Sequence, residues 1–168
     1  MHKTHIAWIL ALVLGLLSVV VVPGASAQGT STPEERARWA EITHKLENNP
    51  LDESVSKDGE TALNGLGNAH DIHVPLCPAL LSEFNDAKYK YRHEITRQYM
   101  LASGVFIIES PAKAGDVAAM NVAAVESVLK VYSAILQQNP EAKWKTLDDL
   151  LKKQGQGKLD ETVRRQCK

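Results

Sequence analysis

The sequence has few cysteines, few aromatic residues and no excess of charge of either sign. Its 168 residues include two cysteines, and aromatic residues make up 5% of the chain. Two cysteines exclude a disulfide-dense scaffold. Lysine and arginine together number 19 against 20 acidic residues, so the strong positive charge that is typical of nucleic-acid-binding proteins is missing. We therefore expect no nucleic-acid partner.

The sequence also lacks the motifs that most often carry catalysis or hold a cofactor. It contains no Gly-x-Ser-x-Gly nucleophile elbow, Cys-x-x-Cys redox pair, Cys-x-x-Cys-His haem attachment or glycine-rich phosphate loop. His93 and Glu94 begin a pattern similar to the His-Glu-x-x-His zinc helix, but Arg97 stands where the second histidine is needed. We interpret the chain as a protein that acts by binding and not by catalysis.

The first 27 residues have the pattern of a secretory signal peptide. Lys3 precedes an uninterrupted apolar stretch over residues 6–22, and Ala25-Ser26-Ala27 supplies the small residues that signal peptidase requires. We predict cleavage before Gln28, which leaves residues 28–168 as one secreted α-helical domain with no stable membrane span. A retained N-terminal anchor is the alternative, since the apolar stretch is at the short limit for crossing a bilayer. The chain is expected to be exported, to the periplasm or the extracellular space.

Export makes Cys77 and Cys167 a candidate disulfide, because thiols oxidise in exported proteins and two cysteines permit one internal bridge. The alternatives are a bridge to another molecule or two free thiols. An internal bridge closes a loop of about 90 residues and stabilises the fold by roughly 4 kcal/mol on the chain-entropy model.

Helix signals follow one another along the rest of the chain. Thr32-Pro33-Glu34-Glu35 has the residues of a capping box with proline at the first helical position. Apolar spacing and stop signals predict helices over residues 33–48, 52–66, 78–108 and 117–138, with shorter segments over 146–154 and 159–166. The longest is expected to bend near Ser103-Gly104. The expected fold is all-α, a small helical bundle of about four main helices plus short C-terminal helices, stapled by one disulfide.

Basic and aromatic residues alternate between residues 86 and 99. Aromatic and arginine side chains are favoured anchors of protein interfaces. We predict a recognition surface here for another exported protein or a cell-envelope component, carried by Lys88, Tyr89, Tyr91, Arg92 and Tyr99. The alternative is that the tyrosines pack inward while the lysine and arginine stems cover the helix surface.

A second hypothesis is metal binding in the segment His70-Asp71-Ile72-His73. Two imidazoles and a carboxylate are ligands for a transition metal ion, and His93 is the candidate for a further ligand. In that case the chain is a metal-binding or metal-dependent periplasmic protein. Otherwise the segment is a solvent-exposed polar loop.

Overall fold

The computed structural model describes residues 29–168, so the predicted signal peptide lies outside the described residues. In this range all regular structure is helical, and a short 3-10 turn follows the fourth helix at Pro111–Lys113. The α-helices are α1 (Pro33–Asn48), α2 (Glu53–Gly67), α3 (Pro78–Phe84), α4 (Arg92–Glu109), α5 (Val117–Gln138), α6 (Lys145–Gly155) and α7 (Leu159–Gln166). The predicted all-α fold and the Cys77–Cys167 disulfide are confirmed.

Short polar side chains cap the N-termini of three of these helices. The Thr32 hydroxyl accepts a hydrogen bond from the backbone N–H of Glu35 at 3.1 Å, and the Glu35 carboxylate accepts one from the N–H of Thr32 at 2.8 Å. This is the predicted capping box at the start of α1. Asp52 and Asp116 accept backbone N–H groups at 2.9 Å at the starts of α2 and α5.

The centre of the fold is α5, whose buried positions extend along its whole length. It packs most extensively on α4 and also contacts α1, α6 and α7. Met120, Val125, Leu129, Tyr132 and Ile135 on α5 are fully buried. Among the described helices it is the one long and apolar enough to span a membrane by length and composition, and 61% of that stretch is buried inside the protein. The apolar residues of α5 therefore pack in the core of the bundle.

The long helix predicted over residues 78–108 is wrong, because two helices, α3 and α4, lie there with a turn between them. The Asp86 side chain accepts the backbone N–H of Lys88 at 2.9 Å, and the Asp86 carbonyl accepts that of Tyr89 at 3.0 Å. Such local hydrogen bonds compete with the helix ladder. The stretch around Ser103-Gly104, where a bend is expected, is helical throughout, and the Ser103 hydroxyl donates to the Tyr99 carbonyl at 2.8 Å.

The disulfide joins the residue before α3 to the residue after α7. Cys77 is also held by its backbone N–H, which donates to the Tyr99 hydroxyl at 3.0 Å. One apolar cluster gathers α3 to α7 around this staple, and a second lies beneath α1 and α2. The staple thus fixes the last helix onto the larger of the two clusters.

Gly104 on α4 faces Leu66 on α2. A Cβ at this position would overlap the buried side chain of Leu66, whereas one at Gly67 would meet nothing within 4 Å. We expect Gly104→Val to lower the free energy of unfolding by about 1–3 kcal/mol through overpacking. The matched control, Gly67→Ala at the end of α2, should change it by less than about 1 kcal/mol. Urea denaturation measures both, and equal values for the two variants would contradict this account of the helix contact.

Candidate functional site

Two segments outside the α-helices form a groove of about 290 Å³. Residues 88–91 form one wall, immediately before α4, and residues 139–144 form the other, between α5 and α6. They meet because the start of α4 lies beside the end of α5. Asn139 caps α5 and its carbonyl accepts the N–H of Ala142 at 2.9 Å, which turns the chain back toward α4.

The floor of the groove is a cluster of aromatic rings centred on Tyr89. The Trp144 ring stacks on it with centroids 5.2 Å apart and an angle of 26° between the planes. Tyr91 and Tyr132 meet the same ring edge-to-face at 6.0 and 6.5 Å. Offset stacking and edge contacts are the favourable arrangements of aromatic pairs, so these contacts stabilise the floor of the groove.

Tyr132 ties the second wall to the bundle. Its hydroxyl accepts the backbone N–H of Trp144 at 2.8 Å and donates to the Asp148 carboxylate at 2.7 Å. Burial, followed by the hydrogen bond to Asp148, raises the pKa of Tyr132 to about 12. The hydroxyl therefore keeps its proton, and with it both hydrogen bonds, through the physiological pH range.

Three exposed lysines surround the opening of the groove. They are Lys88, Lys90 and Lys143, and among residues 29–168 no carboxylate forms an ion pair with any of them. Lys90 Nζ lies 5.0 Å from the centroid of the Tyr91 ring, within the range of a cation–π contact. Glu141 is the one acidic residue that lines the groove. The opening therefore carries net positive charge next to aromatic surface.

Two polar atoms in the groove walls lack a hydrogen-bond partner among the described residues. They are the Tyr89 hydroxyl and Trp144 Nε1, and both are buried. Burial, with smaller contributions from the neighbouring hydroxyls and from the charges of Glu94 and Asp148, raises the pKa of Tyr89 well above its ordinary value. Both groups thus remain proton donors, and a buried donor without a partner is costly in a folded protein.

The groove contains three of the five residues predicted to form a recognition surface. Lys88, Tyr89 and Tyr91 line it, although the two tyrosines are 5% and 7% exposed and contribute mainly edges. Arg92 is half-buried as the first residue of α4 and does not line the groove. The placement of Tyr99 on this surface is wrong, because Tyr99 is fully buried and its hydroxyl donates to the Asn121 side chain.

The opposite wall was not predicted from the sequence. Asn139, Glu141, Lys143 and Trp144 line it. One local signal was available, because Lys143-Trp144-Lys145 repeats the alternation of lysine and aromatic residues that marks Lys88–Tyr91. That the two segments face each other depends on the packing of α4 on α5.

The histidines proposed as metal ligands are exposed on the described surface. His70 and His73 flank Asp71, whose carboxylate accepts hydrogen bonds from the N–H and the hydroxyl of Ser31, each at 3.0 Å, and contacts Arg36. The backbone hydrogen bond from Ser31, followed by those from Arg36 and the Ser31 hydroxyl, lowers the pKa of Asp71 to about 2 against a smaller opposing effect of burial. These hydrogen bonds hold Ser31, just before α1, against the loop that contains Asp71.

No group of three or more His, Cys, Asp or Glu side chains within residues 29–168 is placed to hold a metal ion, whether or not it includes His93. The structure thus does not bring the three proposed histidines together as a ligand set.

A second cleft, of about 200 Å³, lies between α1, α4 and α5 and contains a buried carboxylate. Glu47 accepts hydrogen bonds from the Ser127 hydroxyl at 2.7 Å and from Lys130 Nζ at 2.9 Å. Ser127 accepts one from the Gln98 amide at 2.7 Å, and that amide also donates to the Thr43 carbonyl at 3.1 Å. These contacts join all three helices, so we interpret the cleft as part of the packing of the bundle.

Comparison of the chain with protein-family models, with curated proteins and with solved structures gives no match.

Proposed function

We propose that the protein is an exported helical binding protein that engages another exported protein or a component of the cell envelope through the groove between residues 88–91 and 139–144. The observation that carries the proposal is the group of three lysines without ion-pair partners among the described residues, next to an aromatic floor. Charged side chains at the rim and aromatic side chains at the centre are the usual composition of a recognition site.

The disulfide supports the export part of the proposal. A bond between Cys77 and Cys167 fits a chain that folds in an oxidising environment. The signal-peptide pattern in residues 1–27 adds a route to that environment. Together they favour the periplasm or the extracellular space as the place where the partner is met.

The chemistry of the groove favours recognition. It offers ammonium groups, an amide from Asn139, a carboxylate from Glu141 and aromatic edges. Such a set can pair with polar groups of a partner while its aromatic edges exclude water.

The test is site-specific photo-crosslinking in the native envelope, with the full chain expressed in its exported form. Photoreactive residues at position 143 and at the neighbouring groove position 142, which leaves all three lysines in place, should each give a discrete adduct. The matched control is Lys113, which is also exposed but lies in the 3-10 turn beyond the far end of α4, a helix of 18 residues that is about 27 Å long. We expect no adduct from position 113.

Adducts of equal yield from positions 143 and 113, or no adduct from either position 142 or position 143, would refute binding through the groove. Circular dichroism of each purified variant shows whether it retains the helical fold, so a loss of adduct is separated from a loss of structure.

A further inference from the structure

We infer that the groove binds a carboxylate-bearing peptide segment of the partner, an inference that rests on the groove being the binding site. The segment is expected to place a Glu or Asp side chain between Lys88 and Lys143, next to the Trp144 indole. This names the chemistry of the partner and assigns Trp144 a direct role in recognition.

Positive charge converges on the groove from two parts of the chain. Outside the groove, Lys45, Lys130 and Lys145 each contact a carboxylate at 2.6 to 2.9 Å, and the other described lysines form no ion pair but do not line the groove. At the groove, Lys88, Lys90 and Lys143 come from two separate segments and none is paired among the described residues, while Glu141 supplies one negative charge. An acidic group arriving from a partner meets complementary charge there.

The indole of Trp144 lacks a hydrogen-bond partner among the described residues. Trp144 Nε1 can only donate a hydrogen bond, and among the described residues nothing accepts one from it. The Tyr89 hydroxyl, on the ring stacked against it, also lacks a partner. A carboxylate can only accept, and it carries the charge that the lysines require. A carboxylate can therefore both pair with the lysines and accept a hydrogen bond from the indole.

The shape and polar lining of the groove favour a peptide as the molecule that carries the carboxylate. The groove runs between two turn segments and its volume is about 290 Å³, enough for a few side chains. Asn139 and Glu141 on its wall can pair with the N–H and C=O groups of a peptide backbone. Planar recognition of phosphate is the usual task of arginine forks, and no arginine lines this groove.

Binding requires a small movement of the Trp144 ring, because its nitrogen is buried against Tyr89. The ring belongs to the segment between α5 and α6, and its backbone N–H is held by Tyr132 at 2.8 Å. The side chain can therefore turn while the wall stays in place. The fluorescence of Trp144 then reports directly on occupancy.

The probe is a hexapeptide of alternating alanine and glutamate, blocked at both ends, titrated against the protein purified from an exporting host. We expect a saturable change in tryptophan emission that disappears in Trp144→Phe and persists in Trp39→Phe. The apparent Kd should rise at least tenfold in Lys88→Gln/Lys143→Gln and stay within twofold in the control Lys113→Gln. The matched peptide with glutamine in place of glutamate should bind at least tenfold more weakly.

Equal binding of the glutamine peptide would overturn the carboxylate assignment, and inorganic phosphate that competes as strongly as the glutamate peptide would overturn the peptide assignment. No response up to millimolar glutamate peptide, with a groove-specific crosslink from position 143 still present, would reject this inference and leave the proposed function standing. Loss of both the peptide response and the crosslink would reject the two together.

Discussion

Replacing Cys77 and Cys167 together by alanine is expected to lower the free energy of unfolding by about 4 kcal/mol. The bond closes a loop with a sequence separation of 90 residues, and the loss of chain entropy in the unfolded state grows with the length of such a loop. Since small domains are stable by about 5–15 kcal/mol, this is a large part of the total. Urea denaturation of the wild type and the double variant measures it.

The loss should begin at the C-terminus. α7 is eight residues long and is held by Leu159, Val163 and the disulfide. Amide hydrogen exchange in α7 should therefore accelerate in the double variant before exchange in α5 does. A free energy of unfolding within 1 kcal/mol of the wild type, with α7 equally protected, would contradict the role assigned to the disulfide.

Replacing Tyr132 by alanine is expected to cost about 3–5 kcal/mol, the usual range for deleting a buried aromatic side chain. Tyr132 is fully buried, contacts the Tyr89 ring and holds Trp144 and Asp148 through its hydroxyl. The change therefore removes core packing and frees one wall of the groove. Thermal or urea denaturation gives the first effect, and the tryptophan emission of the unbound protein gives the second.

Tyr132→Phe separates the two effects. It keeps the ring in the core and removes only the two hydrogen bonds, so its cost should be about 1–2 kcal/mol. The emission of Trp144 should still shift, because its backbone N–H has lost its acceptor. If Tyr132→Phe were as destabilising as Tyr132→Ala, the hydrogen bonds and not the packing would dominate at this position.

The parts of the fold predicted correctly are those controlled by neighbouring residues. The capping box of α1 depends on Thr32 and Glu35, which are three positions apart. The helices α1 and α5 end just before Asn49 and Asn139, because a proline follows each of these residues. Two cysteines allow one internal bridge, so the disulfide needed no knowledge of the fold. Local rules of this kind are largely independent of tertiary packing.

The break between α3 and α4 was missed because the apolar spacing continues through it. Phe84, Tyr91 and Ile95 are all buried and are spaced as one helical stripe, although a turn separates the first from the other two. The signal against a continuous helix was Asn85-Asp86, whose side chains favour turns. The prediction follows the hydrophobic periodicity and gives the Asn85-Asp86 signal less weight. In the structure the Asp86 side chain forms the turn in spite of that periodicity.

One of the two walls of the candidate site could be predicted from the sequence. Composition identified Lys88, Tyr89 and Tyr91, but it could not show that residues 139–144 form the facing wall, since that depends on how α4 packs against α5. Tyr99 was assigned to the surface by composition, although it follows the buried Ile95 at a spacing of four residues and so shares its face. Helical spacing was the better guide at that position.

The most direct test of binding through the groove is the yield of the crosslink from position 143 when Lys88 and Lys90 are reversed to glutamate. We expect a fall of at least tenfold, because the partner then meets like charge at the opening of the groove. The matched control reverses Lys57 and Lys113, which are exposed and lie outside the groove, and should leave the yield unchanged. An undiminished yield from the Lys88/Lys90 variant, in a protein that still folds, would contradict recognition through this groove.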